Sequence, residues 1–377
     1  MKVAIFETEH FEAAYPLVRL FDNGHNEITL FCYPAAQQQL EHLLKDTRNN
    51  YEWITKKERQ SRFSFIRKMY REVKKRKIEL LYLNTVSDNF PGYAFLVRKL
   101  PDVRIIMTVH LINSFFSTTK KYNYRRLFNH WGKKRLHTRI KEFNVLGQAM
   151  VPVLRQKLPP DKIIHCIPGV VYEASAINTL PRPLQNPVRI VVPGSIDGRR
   201  RDYEQVFDLL ILLQKEDIPV LITLAGSFYK EYGQHILAKC KHWRGKNQQL
   251  VYYENGHIDQ PEFDKLLQEA DLVFMPSVIH TMIDDGVEET YGLTVTSGNI
   301  SDAVRHAKPF IIPELLIIDS WLEKSCLRYT SVKDIVDFIL LTHEDTWIYQ
   351  NLQKAAIEGA KEYSAGKIRL RNPGVAD

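Results

Sequence analysis

Short apolar runs alternate with segments whose apolar residues recur every three to four positions, and the alternation spans nearly the whole chain. KVAIF (2–6) opens as a strand, and the positions that follow through Leu20 have helical spacing. EITLFCY (27–33) predicts the next strand and AAQQQLEHLLKD (35–46) the next helix. A basic helix over 58–77, the run IELLYLNTV (78–86), a short helix near 92–99 and VRIIMTVH (103–110) come next. FNVLGQAMVPVLRQKL and KIIHCIPGVV (162–171) continue the series. Runs that are apolar throughout fit parallel strands covered by helices on both faces.

The rhythm breaks at YEASAINTLPRPLQNP (172–187), a polar stretch holding Pro181, Pro183 and Pro187 that reads as a linker. It restarts with VRIVVPG (188–194), a helix over 201–214, PVLITLAG (219–226), a helix over 229–242 and QLVYYE (249–254). A helix over 260–269, DLVFMP (271–276), PFIIP (309–313), SVKDIVDFILLTH (331–343) and a last helix over 346–362 complete it. The expected fold class is α/β, with two Rossmann-like doubly wound domains, 1–172 and 173–345, facing each other across a cleft. Such domains bind ligands beyond the carboxyl ends of their strands. Attention therefore falls on Glu7 and His10, Asn84 and Thr85, His110, Gly194, Gly226 and Ser277.

A length of 377 residues accommodates two domains, and 44% hydrophobic with 25% charged residues is a globular balance. The net charge of +8 is uneven: residues 1–175 hold 30 Lys or Arg against 16 Asp or Glu, the remainder 22 against 28. The excess lies in 56–79 and 120–142, blocks that suit either an anionic partner or a solvated helix face. No run approaches 18 apolar residues, the start lacks the pattern of a secretory signal, and Cys32, Cys166, Cys240 and Cys326 are widely spaced. These features lead to the expectation of a cytoplasmic protein with reduced thiols.

The first turn is Glu7-Thr8-Glu9-His10, and no glycine precedes Gly24, which argues against a dinucleotide-binding Gly-x-Gly-x-x-Gly. A P-loop motif and metal-ligand spacings are also missing, so no metal and no cofactor are expected. The second domain has what the first lacks. VVPGSIDGRRRDYEQVF (191–207) leaves a strand at Gly194 and Ser195 and presents Arg199, Arg200 and Arg201, whose guanidinium groups suit phosphate. TSGNISDAVRHA places Thr296, Ser297, Gly298 and Asn299 before a helix with Ser301 as its expected N-cap, another feature that favours an anion. Glu288 and Glu289, followed by Thr290, Tyr291 and Gly292, suit sugar hydroxyls instead. A nucleotide sugar satisfies both demands.

With those motifs the chain resembles the GT-B glycosyltransferases, in particular the retaining members with a Glu-x7-Glu donor motif. The resemblance spans most of the chain as an architecture and implies that the C-terminal helix, 346–377, crosses back to an acceptor-side first domain. Glu289-Thr-Tyr-Gly292 resembles the start of the donor motif, VVPGSIDGRRRDYE the diphosphate clamp, and IIMTVH the strand ending in a histidine that faces the transferred sugar. It implies that Glu289 holds sugar hydroxyls or backs the departing charge, that Arg200 neutralises the β-phosphate, and that His110 stands at the cleft. Gly194, Ser195, Arg199, Arg201, Glu288, Thr290, Tyr291, Gly292, Ser297, Gly298 and Asn299 would line the donor, and Glu9 and His10 the acceptor side. Two positions depart from the pattern: Ser297 stands where the second Glu belongs, and ETEHFE replaces the glycine-rich first loop.

The activity implied is transfer of a hexosyl or related group from a nucleoside-diphosphate sugar to a saccharide or lipid-linked acceptor in cell-surface polysaccharide synthesis, without a metal. A retaining enzyme needs no separate base, whereas an inverting one would use Glu9, His10 or His110. His110 also reads as an ordinary strand-end histidine, and Asp284 and Asp285 as a mobile acidic loop. The basic first domain suits peripheral contact with an anionic membrane at its inner face. Helix 58–77 offers Phe63, Phe65, Ile66, Met69 and Tyr70 for that contact, or for packing on the sheet. The alternative is a non-catalytic protein of the same fold that binds a saccharide or partner. No nucleic-acid module is present.

Overall fold

The computed structural model describes residues 1–117, 124–174, 181–254, 258–284 and 286–375. The chain divides into two units: Met1–Val171 with Leu293–Thr296 and the residues from Ala365 on, and Tyr172–Gly292 with Ser297–Ser364.

The first unit runs β1 (Lys2–Glu7), α1 (Phe11–Phe21), β2 (Glu27–Cys32), α2 (Pro34–Leu44), β3 (Glu52–Thr55), α3 (Arg62–Arg76), β4 (Leu80–Leu83), α4 (Phe90–Lys99) and β5 (Arg104–Thr108). It continues with α5 (Ile112–Phe116), α6 (Tyr124–Arg139), β6 (Glu142–Val145), α7 (Met150–Lys157) and β7 (Ile163–Cys166). The seven strands pair in the order β3-β2-β1-β4-β5-β6-β7, all parallel. Side chains alternate across a strand, so Ala4 and Phe6 of β1 enter one apolar layer with Phe65 and Met69 of α3. Val3 and Ile5 enter the other, with Leu17 and Phe21 of α1.

Helix α3 shows how its sequence sets its limits. Ser61 caps the start by accepting from the Ser64 N–H at 3.1 Å, and Lys77 ends it in the left-handed region at φ 57°. Lys74, Lys75 and Arg76 lie in the last turn, where cations oppose the negative end of the dipole. Phe65, Ile66 and Met69 are buried and Tyr70 is half-buried against the core, so the apolar stripe of this helix packs on the sheet. Only Phe63 of the five side chains named for a membrane is exposed.

The second unit runs β8 (Val188–Pro193), α8 (Glu204–Lys215), β9 (Val220–Ala225), α9 (Lys230–His242), β10 (Gln248–Tyr252), α10 (Gln260–Glu269) and β11 (Leu272–Phe274). A hairpin of β12 (His280–Asp284) and β13 (Val287–Thr290) follows, then α11 (Gly298–Arg305), β14 (Phe310–Pro313), β15 (Cys326–Tyr329), α12 (Val332–Glu344) and α13 (Thr346–Lys361). The main sheet is again parallel, in the order β10-β9-β8-β11-β14-β15. Both units are thus Rossmann-like doubly wound sheets, as the apolar runs predict.

The end of the chain forms two helices rather than one. After α13, the short helix α14 (Ala365–Arg371) packs on the first unit: Ile368 joins its core, and Arg369 donates to the carbonyls of Leu20 at 2.9 Å and Arg19 at 3.1 Å. Asn372 brackets Cys166, accepting from its N–H and donating to its carbonyl, each at 3.1 Å. Asp284, expected with Asp285 as a mobile acidic loop, ends β12, which pairs antiparallel with β13; Asp285 lies outside the described residues. The linker lies outside them over 175–180 and the second basic block over 120–123. Among the described residues no helix is long and apolar enough to cross a membrane.

Candidate functional site

In each sheet the first strand is flanked by neighbours whose connections run in opposite directions, which makes a switch point at its carboxyl end. In the first unit β1 and β4 end there in Glu7 and in Asn84 and Thr85. Glu7 is fully buried, and all five of its hydrogen-bond partners are donors. Its Oε1 accepts from the N–H groups of Thr8 at 2.7 Å and of Glu9 and His10 at 2.8 Å. Its Oε2 accepts from Asn84 Nδ2 at 2.6 Å and Thr85 Oγ1 at 3.0 Å. Burial pushes the Glu7 pKa up, against the pull of His10 and the backbone donors. The amides that a glycine-rich loop would offer to a phosphate are occupied by this carboxylate, which accounts physically for the missing dinucleotide motif.

The same corner holds two histidines. His110 Nε2 lies 2.9 Å from the Asn84 carbonyl, and since a carbonyl only accepts, this nitrogen carries the proton and Nδ1 the lone pair. The His110 ring stacks on His10, with centroids 5.1 Å apart. Burial and the nearby charge of His10 lower the His110 pKa to about 4. Burial would also lower that of His10, but the Glu12 carboxylate 3.1 Å from its Nδ1, with Glu7 and Glu9, raises it to about 9. At neutral pH the pair is one charged and one neutral ring, an opposed arrangement typical of acid–base sites. Glu9 is exposed beside them.

In the second unit the switch point lies between β8 and β11. Gly194 leaves β8 at φ +87°, where a Cβ would come 2.7 Å from Arg201 Nη2, so the turn requires glycine. Asp197 organises the loop that follows. Its carboxylate takes Arg199 through Nε at 3.1 Å and Nη2 at 2.6 Å, and its carbonyl accepts the N–H groups of Arg200 and Arg201. Arg201 is buried, donating to the Ser195 carbonyl at 3.0 Å and to Asn299 Oδ1. Asn299 in turn donates to the Pro193 carbonyl at 2.9 Å. The first turn of α11 is thereby pinned to the end of β8.

The three consecutive arginines therefore differ. Arg201 is structural cement, Arg199 is held by Asp197 and lies over the Tyr229 ring at 5.4 Å, and Arg200 keeps a 40% exposed side chain 3.8 Å from Asp197. The loop is also tied to the connection between β11 and β12 and to the hairpin, through Val278 N–H to the Arg200 carbonyl at 3.0 Å and Thr281 Oγ1 to the Arg199 carbonyl.

Helix α11 starts at Gly298 with Ser297 in the cap position, earlier than the expected Ser301 cap, because Asn299 anchors to β8 and draws the first turn forward. Its first N–H groups have no intrahelical carbonyl to bond. Thr296, just before it, belongs to the first unit. In β13, Glu289 is fully buried and pairs in register with Thr281, while Glu288 on the opposite face is exposed, 3.5 Å from His280. Thr290 Oγ1 lies 3.4 Å from His280 Nδ1. Tyr291 is buried with its hydroxyl in the field of the arginine loop: burial raises its pKa, and Arg200 and Arg201 oppose that. Gly292 turns the chain at φ +86°, with the Ile317 carbonyl 2.1 Å from where a Cβ would be.

Gly194, Ser195, Arg199–Arg201, Glu289, Tyr291 and Asn299 thus form one neighbourhood of the second unit, and Glu9, His10 and His110 one corner of the first. The strand ends point to Glu7, Asn84 and Thr85 in the sequence but give them no role in the site, and nothing in the sequence singles out Asp197. Among the described residues, no three His, Cys, Asp or Glu side chains gather as a metal site requires.

No protein-family model matches the chain, and no curated protein matches it in sequence. Its fold has solved counterparts. The pneumococcal O-GlcNAc transferase GtfA, in complex with UDP and GlcNAc, is similar at a TM-score of 0.60 and 9% identity, over 98% of this chain and 97% of that one. HepE of Anabaena, in complex with UDP and glucose, reaches 0.59 at 14% identity, over 99% and 98%. The UDP-GlcNAc 2-epimerase of Methanocaldococcus jannaschii reaches 0.52 at 11%, over 90% and 92%. At such identities the likeness shows the fold, and that fold is GT-B.

Proposed function

We propose that the protein is a glycosyltransferase that takes a sugar from a nucleoside-diphosphate sugar and passes it, without a metal ion, to a saccharide or lipid-linked acceptor in cell-surface polysaccharide synthesis. The observation that carries this reading is the switch point of the second unit. A glycine turn, a half-exposed Arg200 and the start of α11 are fastened there around one spot by Asp197, Arg201 and Asn299. Donors fixed in advance toward a developing phosphate charge contribute most to catalysis when they need no rearrangement.

In this scheme the bond from the anomeric carbon to the β-phosphate oxygen breaks and its electron pair stays on that oxygen. Arg200 and the helix start stabilise the charge, and the backbone at Gly194, Ser195, Tyr291 and Gly292 approaches the donor. The backbone at Ser297, Gly298 and Asn299 holds the diphosphate and ribose side and Glu289 the sugar side, whereas Glu288 and Thr290 face His280 on the other side of β13. The acceptor oxygen bonds to the anomeric carbon and loses its proton. His110, with a pKa near 4, is a weak base at neutral pH. The acceptor's proton passes to the departing diphosphate oxygen if the sugar's configuration is retained, and to a base such as Glu9 if it is inverted.

The test is incubation with UDP-, GDP- and ADP-sugars, with products separated by chromatography. The expected result is release of one nucleoside diphosphate together with free or transferred sugar, reduced about a hundredfold in Arg200→Ala. Isomerised nucleotide sugar without release of diphosphate would assign an epimerase instead, the activity named for one of the similar structures. A second reading, a non-catalytic saccharide-binding protein, is favoured by Ser297 in place of the second Glu and by the full burial of Glu289. Binding of a nucleotide sugar without turnover would support it.

A further inference from the structure

Helix α6 carries an apolar stripe that no described residue covers. Tyr124 is 92% exposed, Leu127 44%, Phe128 61% and Trp131 45%. They fall at i, i+3, i+4 and i+7, within an arc of about 100°. Phe128 and Trp131 stack on each other at 5.7 Å and 10°, and Arg135 continues the stripe, 5.4 Å over Trp131. The stripe is presented firmly. On another side of the helix Gly132 touches α4 so closely that a Cβ would lie 2.4 Å from the Pro91 nitrogen, Leu136 is fully buried, and Lys133 donates to the Ser114 carbonyl. Tyr124–Arg139 contains six Lys or Arg and no Asp or Glu, and α4 adds Arg98 and Lys99, also without an acid.

We propose that α6 lies in the surface of an anionic lipid bilayer, its aromatic stripe among the acyl boundary and its cations among the headgroups. A helix with a polybasic face and an aromatic one is the form that binds in the interfacial plane. Charge complementarity selects this occupant. A second copy of the chain would bring six further cations against these six, and a nucleic acid would leave Leu127 without an apolar neighbour while Phe128 and Trp131 already share one stack. This proposal is independent of the donor site, and it moves the membrane contact from α3, whose stripe is spent on the core, to α6.

Flotation of the full chain with vesicles of phosphatidylcholine and phosphatidylglycerol in equal parts, and of phosphatidylcholine alone, tests it. The protein should float with the anionic vesicles and stay behind with the neutral ones. Phe128→Ser with Trp131→Ser, and separately Lys134→Glu with Arg135→Glu, should each lower the bound fraction about tenfold or more, given roughly one kilocalorie for each basic residue near such a surface. Circular dichroism should be unchanged, since these side chains are exposed. Undiminished flotation of both variants, or no flotation of the parent chain, would overturn the proposal. So would an oligomer, or binding to an oligonucleotide, that the aromatic variant abolishes while vesicles are never bound.

Discussion

Asn299→Ala should both weaken the second unit and disable its ligand site. The amide is 2% exposed, donates to the Pro193 carbonyl at 2.9 Å and accepts from the guanidinium of Arg201. Its loss strands a buried carbonyl and one arm of a buried cation that also donates to the Ser195 carbonyl at 3.0 Å. An unpaired buried polar group costs about 1–3 kcal/mol, and more beside a charge, so the total is roughly 2–5 kcal/mol. Asn299→Asp separates the two bonds: the carboxylate keeps and strengthens the contact with Arg201 but faces the Pro193 carbonyl as a second acceptor, so its loss should be smaller. Urea unfolding, with hydrogen exchange followed on peptides from β8 and α11, reports this unit apart from the first. Nucleotide affinity should fall in step, because the start of α11 is no longer fixed to β8. If Asn299→Ala lies within about 0.5 kcal/mol of the parent, the range of an ordinary surface substitution, the pin is not what holds the site.

Gly292→Ala should cost more than about 2 kcal/mol. It forces an L side chain to φ +86° and drives a Cβ to 2.1 Å from the Ile317 carbonyl oxygen, and thermal unfolding would register the loss. The histidine pair predicts a stability dome for the first unit. His110, lowered to about 4, contributes fully above its ordinary 6.5 and loses this as pH falls toward 4. His10, raised to about 9, contributes fully below 6.5 and loses this as pH rises through 9. Melting temperature against pH should show both flanks, and His10→Gln should remove the alkaline one. Glu142 is resisted by burial but held at about 2 by hydrogen bonds from Arg104 and His165. Its contribution, present above about 4.5, should fade as pH drops toward 2, and Arg104→Met, which leaves only His165 beside the carboxylate, should weaken that dependence.

The sheets were legible because parallel strands buried on both faces are apolar throughout: KVAIF, LLYL, RIVVP and VLITLA leave little choice. The shorter or half-polar strands were not. β3 is four residues at an edge, and β15 (CLRY) is equally brief. In the β12–β13 hairpin the Asp-Gly turn signal was present at 285–286, but the acidic residues around it suggested a loop. Individual roles in the site were less accessible still. Sequence cannot distinguish Arg199, Arg200 and Arg201, because what separates them is Asn299, 98 positions from Arg201, and the geometry of Asp197. Nor does ETEHFE announce that Glu7 folds back onto the amides of its own loop, since that requires Asn84 and Thr85, brought there by β4.

The central claim is that Arg200 and the end of β8 hold a diphosphate. Its most direct test is the melting temperature of the full chain with UDP, GDP, ADP, CMP and NAD, each in large excess, for the parent and for Arg200→Ala. A ligand at a hundred times its Kd adds about 2.7 kcal/mol, a readily measured shift. The account predicts a shift with one nucleoside diphosphate and none with NAD, lost in Arg200→Ala and retained in His110→Ala. No shift with any nucleotide, or the same shift in Arg200→Ala, would contradict it.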